Sequence, residues 1–107
     1  MEKNIKVRED KILAHMDPID GLHLSDCDFF VDLYVNTNKA VRLYKDDTEK
    51  VKRVDDDNYK ICITTDESVK IGRGKVLMDF VCFIPDADFP DGFRTDVTTG
   101  LCTGVTL

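Results

Sequence analysis

The stretch DFFVDLYVNTNKAVRLYK, residues 28–45, decides the fold. Its apolar and polar residues alternate with a period of two, the spacing of a half-buried β-strand rather than a helix. Phe29, Val31, Leu33 and Val35 fall on one face, and Asp32 turns Phe30 and Tyr34 to the other. Only Asn36-Thr37-Asn38 interrupts the pattern. Asparagine tolerates the positive φ of a tight turn, so the two halves read as a hairpin.

The same period recurs on both sides of this hairpin. EKVKRV (49–54) alternates Val51 with Lys50, Lys52 and Arg53, the charge pattern of a protected edge strand. Asp55–Asn58 is a solvated turn leading into YKICITT (59–65), with Tyr59, Ile61 and Ile63 inward. VLMDFVCFI (76–84) is the most apolar run. Asp79 marks its outer face and leaves Val76, Met78, Phe80, Cys82 and Ile84 inside. FRTDVTTGL (93–101) and LCTGVTL (101–107) read as two closing strands, with Val97, Leu101, Val105 and Leu107 in the core. NIKVREDKILAHM (4–16) adds one or two short strands. One stretch departs from the pattern: in TTDESVKIGRGK (64–75), Asp66 is placed to cap a single helical turn that Gly72 ends in the left-handed conformation. About eight short strands without helical crossovers predict an all-β, immunoglobulin-like antiparallel sandwich forming a single domain, residues 1–107.

Composition narrows the function. With 15 Lys+Arg among 21 Asp+Glu, the net charge of −6 leaves no basic face for counterion release, so nucleic acid is not an expected partner. No apolar run approaches the length of about 20 residues that spans a bilayer. MEKNIKVRED (1–10) lacks an apolar signal core, so no membrane is expected and assembly falls in the cytoplasm. By strand parity Cys27 and Cys82 point inward, Cys62 and Cys102 outward. Without CxxC spacing they read as free thiols.

No stretch carries a catalytic or ligand-binding constellation. In FIPDADFPDGFRTDV (83–97), Asp86, Asp88 and Asp91 lack the spacing and the downstream carboxylate of a calcium loop. The stretch reads as a corner instead. Pro85 ends the strand, Pro90-Asp91-Gly92 makes a β-turn, and Phe89 or Phe93 plugs the end of the core while the chain passes to the opposite sheet. HMDPIDGLHLSDCD (15–28) gathers His15, Asp17, Asp20, His23, Asp26 and Cys27, but zinc needs tighter ligand pairs and a His23–Cys27 nucleophile has no oxyanion motif beside it. The glycines of IGRGK (71–75) precede a strand, whereas a phosphate loop opens a long helix. The expectation is a protein that is not an enzyme and carries no metal or cofactor. Outward aromatics remain: Tyr34, Tyr44 and Phe83 are expected to be exposed, and Phe30, Tyr34 and Phe83 are the candidate residues for contact with a protein partner.

The order of motifs adds a resemblance. DFFVDLYV (28–35), KAV (39–41), VDDDNYKICI (54–63), GRGK (72–75) and VCFIPDADFPDGFRTDV (81–97), followed by the closing Thr103-Gly104, resemble small modules encoded by phages and prophages of anaerobic gut bacteria. These are similar to the immunoglobulin-like N-terminal domain of phage baseplate upper proteins. The resemblance covers residues 19–107 and is most specific at IPDADFPDG and Arg94 (84–94), with Asp96-Val97 and Gly104 after it. It implies a virion building block, in a head fibre, connector or baseplate, that binds other virion proteins and carries no active site. A homo-oligomer is expected, since symmetry lets a small protein use one patch several times. Residues 1–18 extend beyond the module, as an arm to a neighbouring subunit or a further strand of the same sandwich. Two other classes compete. A carbohydrate-binding or adhesion module would need stacking aromatics, of which the chain has three Tyr and no Trp; an acidic host-directed inhibitor would need carboxylates less interspersed with lysines.

Overall fold

Alternation in the sequence becomes alternation in burial. The computed structural model describes residues 12–107. The strands are β1 (Leu13–His15), β2 (Asp28–Val35), β3 (Asn38–Tyr44), β4 (Val51–Asp55), β5 (Asn58–Ile61), β6 (Lys75–Pro85) and β7 (Phe93–Thr106), with a 3-10 turn at Leu24–Asp26 and one helix, α1 (Thr65–Ile71). They form two antiparallel sheets ordered β1-β5-β4 and β3-β2-β6-β7. That is the order of the B-E-D and C′-C-F-G strands of the immunoglobulin sandwich. As the charge pattern of 49–54 requires, β4 is an edge strand.

The core lies between the sheets, built from the inward faces read in the sequence: Phe29, Val31 and Leu33 of β2, Tyr59 and Ile61 of β5, and Val76, Met78, Phe80, Cys82 and Ile84 of β6. Phe29 is its hub. Its ring meets Tyr59 of the opposite sheet edge-on at 5.1 Å and Phe80 of the neighbouring strand at 5.4 Å. Edge-to-face pairs of this kind add about 0.5–1.5 kcal/mol to the area they bury. Phe29 therefore joins the two layers where a single aliphatic side chain would touch fewer partners.

Several expectations are corrected. The two closing strands are one, β7, bent by register shifts opposite Lys75/Leu77 and Met78/Phe80, with Gly100 and Gly104 at φ of 68° and 79°. This leaves seven strands among the described residues. The loop 86–92 does not carry the chain to the opposite sheet. It closes a hairpin within one sheet, where Pro85 pairs with Phe93 and the Gly92 N–H donates to the Phe89 carbonyl at 2.9 Å across the expected Pro90-Asp91 turn. Phe89, Phe93 and Val97 are exposed and plug nothing. The reason is register: Phe93 pairs with Pro85 and Val97 with Val81, on the face turned away from the second layer, while Phe89 lies in the hairpin loop itself. The N-terminal segment yields β1, and the rest of that expectation, on residues 1–11, lies outside the described residues. Cys27 and Cys62 sit just outside β2 and β5; none of the four cysteines forms a disulfide.

Helix α1 is capped by Thr64, not Asp66. The Thr64 hydroxyl accepts from the Glu67 N–H at 3.2 Å and Glu67 accepts from the Thr64 N–H at 2.8 Å, a reciprocal capping box. After Gly72 the chain enters β6 through Gly74, whose backbone exchanges two hydrogen bonds with Leu107. Gly74 has φ of 133°, and a Cβ there would lie 2.8 Å from Val35 Cγ1. Gly74→Ala is thus expected to destabilise the fold by about 1–3 kcal/mol, read as a lower urea midpoint with an unchanged slope.

Candidate functional site

The outer face of the four-stranded sheet carries an organised set of side chains. Cross-strand register aligns Tyr44, Phe30, Val81 and Val97 in one row across β3, β2, β6 and β7, with Phe83 in the adjacent row. The Phe30 ring lies 5.8 Å from Tyr44 and 6.1 Å from Phe83, both tilted. Tyr44 and Val97 are 51% and 54% exposed, so the row opens to solvent at both edges of the sheet.

Beneath this row runs a polar one. Arg42, Asp32 and Asp79 are consecutive cross-strand partners. The Arg42 guanidinium donates through Nε to Asp32 Oδ1 at 2.8 Å and through Nη2 to Oδ2 at 3.1 Å. That forked bond pushes the guanidinium pKa still higher, so Arg42 stays charged. Its carbon Cζ also sits 4.1 Å from the centre of the Phe30 ring, a cation–π contact that joins the polar row to the aromatic one. Asp79 Oδ1 accepts from the Tyr34 hydroxyl at 2.7 Å and from the Gly100 N–H at 2.9 Å. Both aspartates are buried, at 5% and 4% exposure, although they lie on the face opposite the core. Like charges directly opposite in a sheet repel. Each carboxylate here has its own donors, which offsets that cost.

The three sequence candidates therefore separate. Phe30 and Phe83 come together, joined by Tyr44. Tyr34 does not join them: it is only 7% exposed, with its hydroxyl spent on Asp79, so it supports the face from below. Asp32 and Asp79 were legible only as markers of the outer face; their burial required knowledge of the cross-strand register.

A second polar cluster ties the loop 16–27 to the β4–β5 turn. His15 bonds Asn58 Oδ1 and Asp17 Oδ1, each at 2.8 Å, and His23 Nδ1 bonds Asp57 Oδ1 at 2.9 Å. Both imidazole pKa values are raised, that of His15 chiefly by Asp17 and that of His23 by Asp57. Cys27 does not meet the His23 ring. Its thiol donates to the His23 carbonyl at 3.4 Å, and burial raises its pKa, the environment of an inert thiol. Among the described residues, no group of His, Cys, Asp and Glu is arranged to hold a metal ion. Nor is any helix among them long and apolar enough to cross a membrane. A cleft between the β3–β4 connection and β4 is lined by Lys45, Lys52 and Arg53 among other residues, but Lys45 already donates to the Ser25 and Cys27 carbonyls. The chain matches no family model, no curated protein and no solved structure.

Two measurements follow from this geometry. Tyr34→Phe removes a donor from a buried carboxylate and is expected to cost about 1–3 kcal/mol by chemical denaturation. A raised folded pKa means that the His23–Asp57 contact contributes fully below the unfolded value of 6.5 and is lost as pH rises through the folded one. In Asp57→Asn, the NMR titration midpoint of His23 should fall towards 6.5 while that of His15 stays raised.

Proposed function

We propose that the protein is a non-enzymatic structural or adaptor component of a phage virion, a head-fibre, connector or baseplate part, that docks the aromatic face of its four-stranded sheet on another virion protein. The carrying observation is the cluster of Phe30, Tyr44 and Phe83 on a face organised from beneath by the Arg42–Asp32 fork. Tyr44 is exposed while Phe30 and Phe83 are half-buried, and aromatics beside an arginine are residue types enriched at protein interfaces. The resemblance of residues 19–107 to phage modules supports the virion setting. Ring geometry favours a protein over a sugar partner. Phe30 is inclined by 55° to Tyr44 and by 43° to Phe83, so the rings do not form the flat platform on which a pyranose stacks.

The test is quantitative mass spectrometry of purified particles from the source phage or induced prophage. A stoichiometric copy number supports the reading; presence in infected cells with absence from particles contradicts it and favours an inhibitor or assembly factor. Within that experiment, Phe83→Ser and Tyr44→Ser should each reduce incorporation by about tenfold, the scale of a single interface anchor, with the fold intact by circular dichroism. Unchanged incorporation of both variants removes the aromatic face from the account.

A further inference from the structure

We propose that two copies of the chain pair through β7, antiparallel and twofold-symmetric about Thr95, joining their four-stranded sheets into one. Strand β7 ends the order β3-β2-β6-β7, and among the described residues no strand lies along its outer side. Such an edge presents unpaired N–H and C=O groups that a further strand can satisfy. The backbone fixes which residues present them. The Asp86 N–H donates to the Gly92 carbonyl at 2.8 Å, so Gly92 faces β6; alternation then turns Phe93, Thr95 and Val97 to the open side. In keeping with this, the Phe93 N–H is met by the Asp91 side chain at 3.2 Å rather than by β6.

The side chains supply the register and the occupant. Phe93-Arg94-Thr95-Asp96-Val97 is self-complementary when reversed about its centre. Phe93 then faces the partner's Val97, Arg94 faces the partner's Asp96, and Thr95 meets its own copy. Phe93 and Val97 are exposed hydrophobics that the fold leaves uncovered. Arg94 and Asp96 would occupy non-hydrogen-bonded positions, where opposed side chains are closest. In the single chain Arg94 has only a loose 3.9 Å contact with Asp86. The bulges at Gly100 and Gly104 confine regular pairing to this segment, which fits a weak, reversible dimer.

Edge β4 shows the contrast. Its Lys52 and Arg53, with Lys50 before them, form the basic run that usually protects an edge, and its one acid, Asp55, lies beyond a register shift with its carboxylate bonded within the β4–β5 turn. Strand β7 carries one charge of each sign at symmetric positions instead. This inference goes beyond the virion reading and does not depend on it, because the pairing uses the strand edge whether or not the aromatic face meets another protein.

Sedimentation equilibrium of the full chain tests it. The wild type should dimerise reversibly with a dissociation constant between about 1 µM and 1 mM. Arg94→Asp and Asp96→Arg should each weaken the dimer at least about tenfold, because each places like charges opposite one another twice. Mixing the two variants should restore association as a heterodimer, since the reversed charges then face their opposites. Thr95→Pro removes an N–H that points away from β6 and should give a folded monomer. A monomer throughout that range overturns the proposal, as does a dimer indifferent to these substitutions or a variant mixture that fails to re-associate. Loss of particle incorporation in Phe83→Ser with dimerisation intact would separate the two readings.

Discussion

The Arg42–Asp32 fork is the interaction on which the outer face depends. A carboxylate in the middle of β2, beside Asp79 and shielded from water, is costly unless a cation and hydrogen bonds meet it. Arg42 meets it in two bonds and lies over Phe30 at the same time. One side chain thereby compensates a buried charge and fixes the ring around which Tyr44 and Phe83 gather. On the other side of the row, Tyr34 and the Gly100 N–H hold Asp79 and bring the β7 bulge into the same network. The outer face is thus structured to a depth that alternation alone does not require.

The two faces of the four-stranded sheet solve different problems. Inside, Phe29 joins the layers through aromatic edges, and the transition is one of area and packing. Outside, polar side chains buried without an opposing sheet hold an apolar row partly open to solvent. Among the described residues the three-stranded sheet has no comparable feature: its edge β4 is lysine- and arginine-bearing, and its loops are tied by His23–Asp57 and Ser25–Asp56 contacts. Asymmetry of this kind sets one surface of the molecule apart.

How much of this was legible in the sequence varied with the physical cause. Period two placed Phe29, Val31, Leu33 and the inward residues of β6 correctly, because burial on one sheet face leaves no freedom in parity. It put Tyr34 on the correct face but not its burial, which depends on neighbours across the sheet, and it put Val97 in the core although register with Val81 sets it on the outer face. The Arg42–Asp32 pair illustrates the limit. A regular two-residue hairpin at Asn36-Thr37 would set Asp32 opposite Val41; a one-residue shift between Leu33 and Tyr34 sets it opposite Arg42. Nothing in local composition announces that bulge. By contrast Thr64-Thr65-Asp66-Glu67 is a capping-box pattern, so the true helix cap was readable and Asp66 was the wrong choice of three adjacent candidates.

The central claim is that the protein works through the aromatic outer face of the sheet. Hydroxyl-radical footprinting of the free protein against the assembled particle tests it most directly. Phe30, Tyr44 and Phe83 should react in the free protein and be protected in the particle, while Phe89, at the tip of the β6–β7 hairpin, keeps its reactivity. Equal oxidation of the three rings in both states would contradict the account.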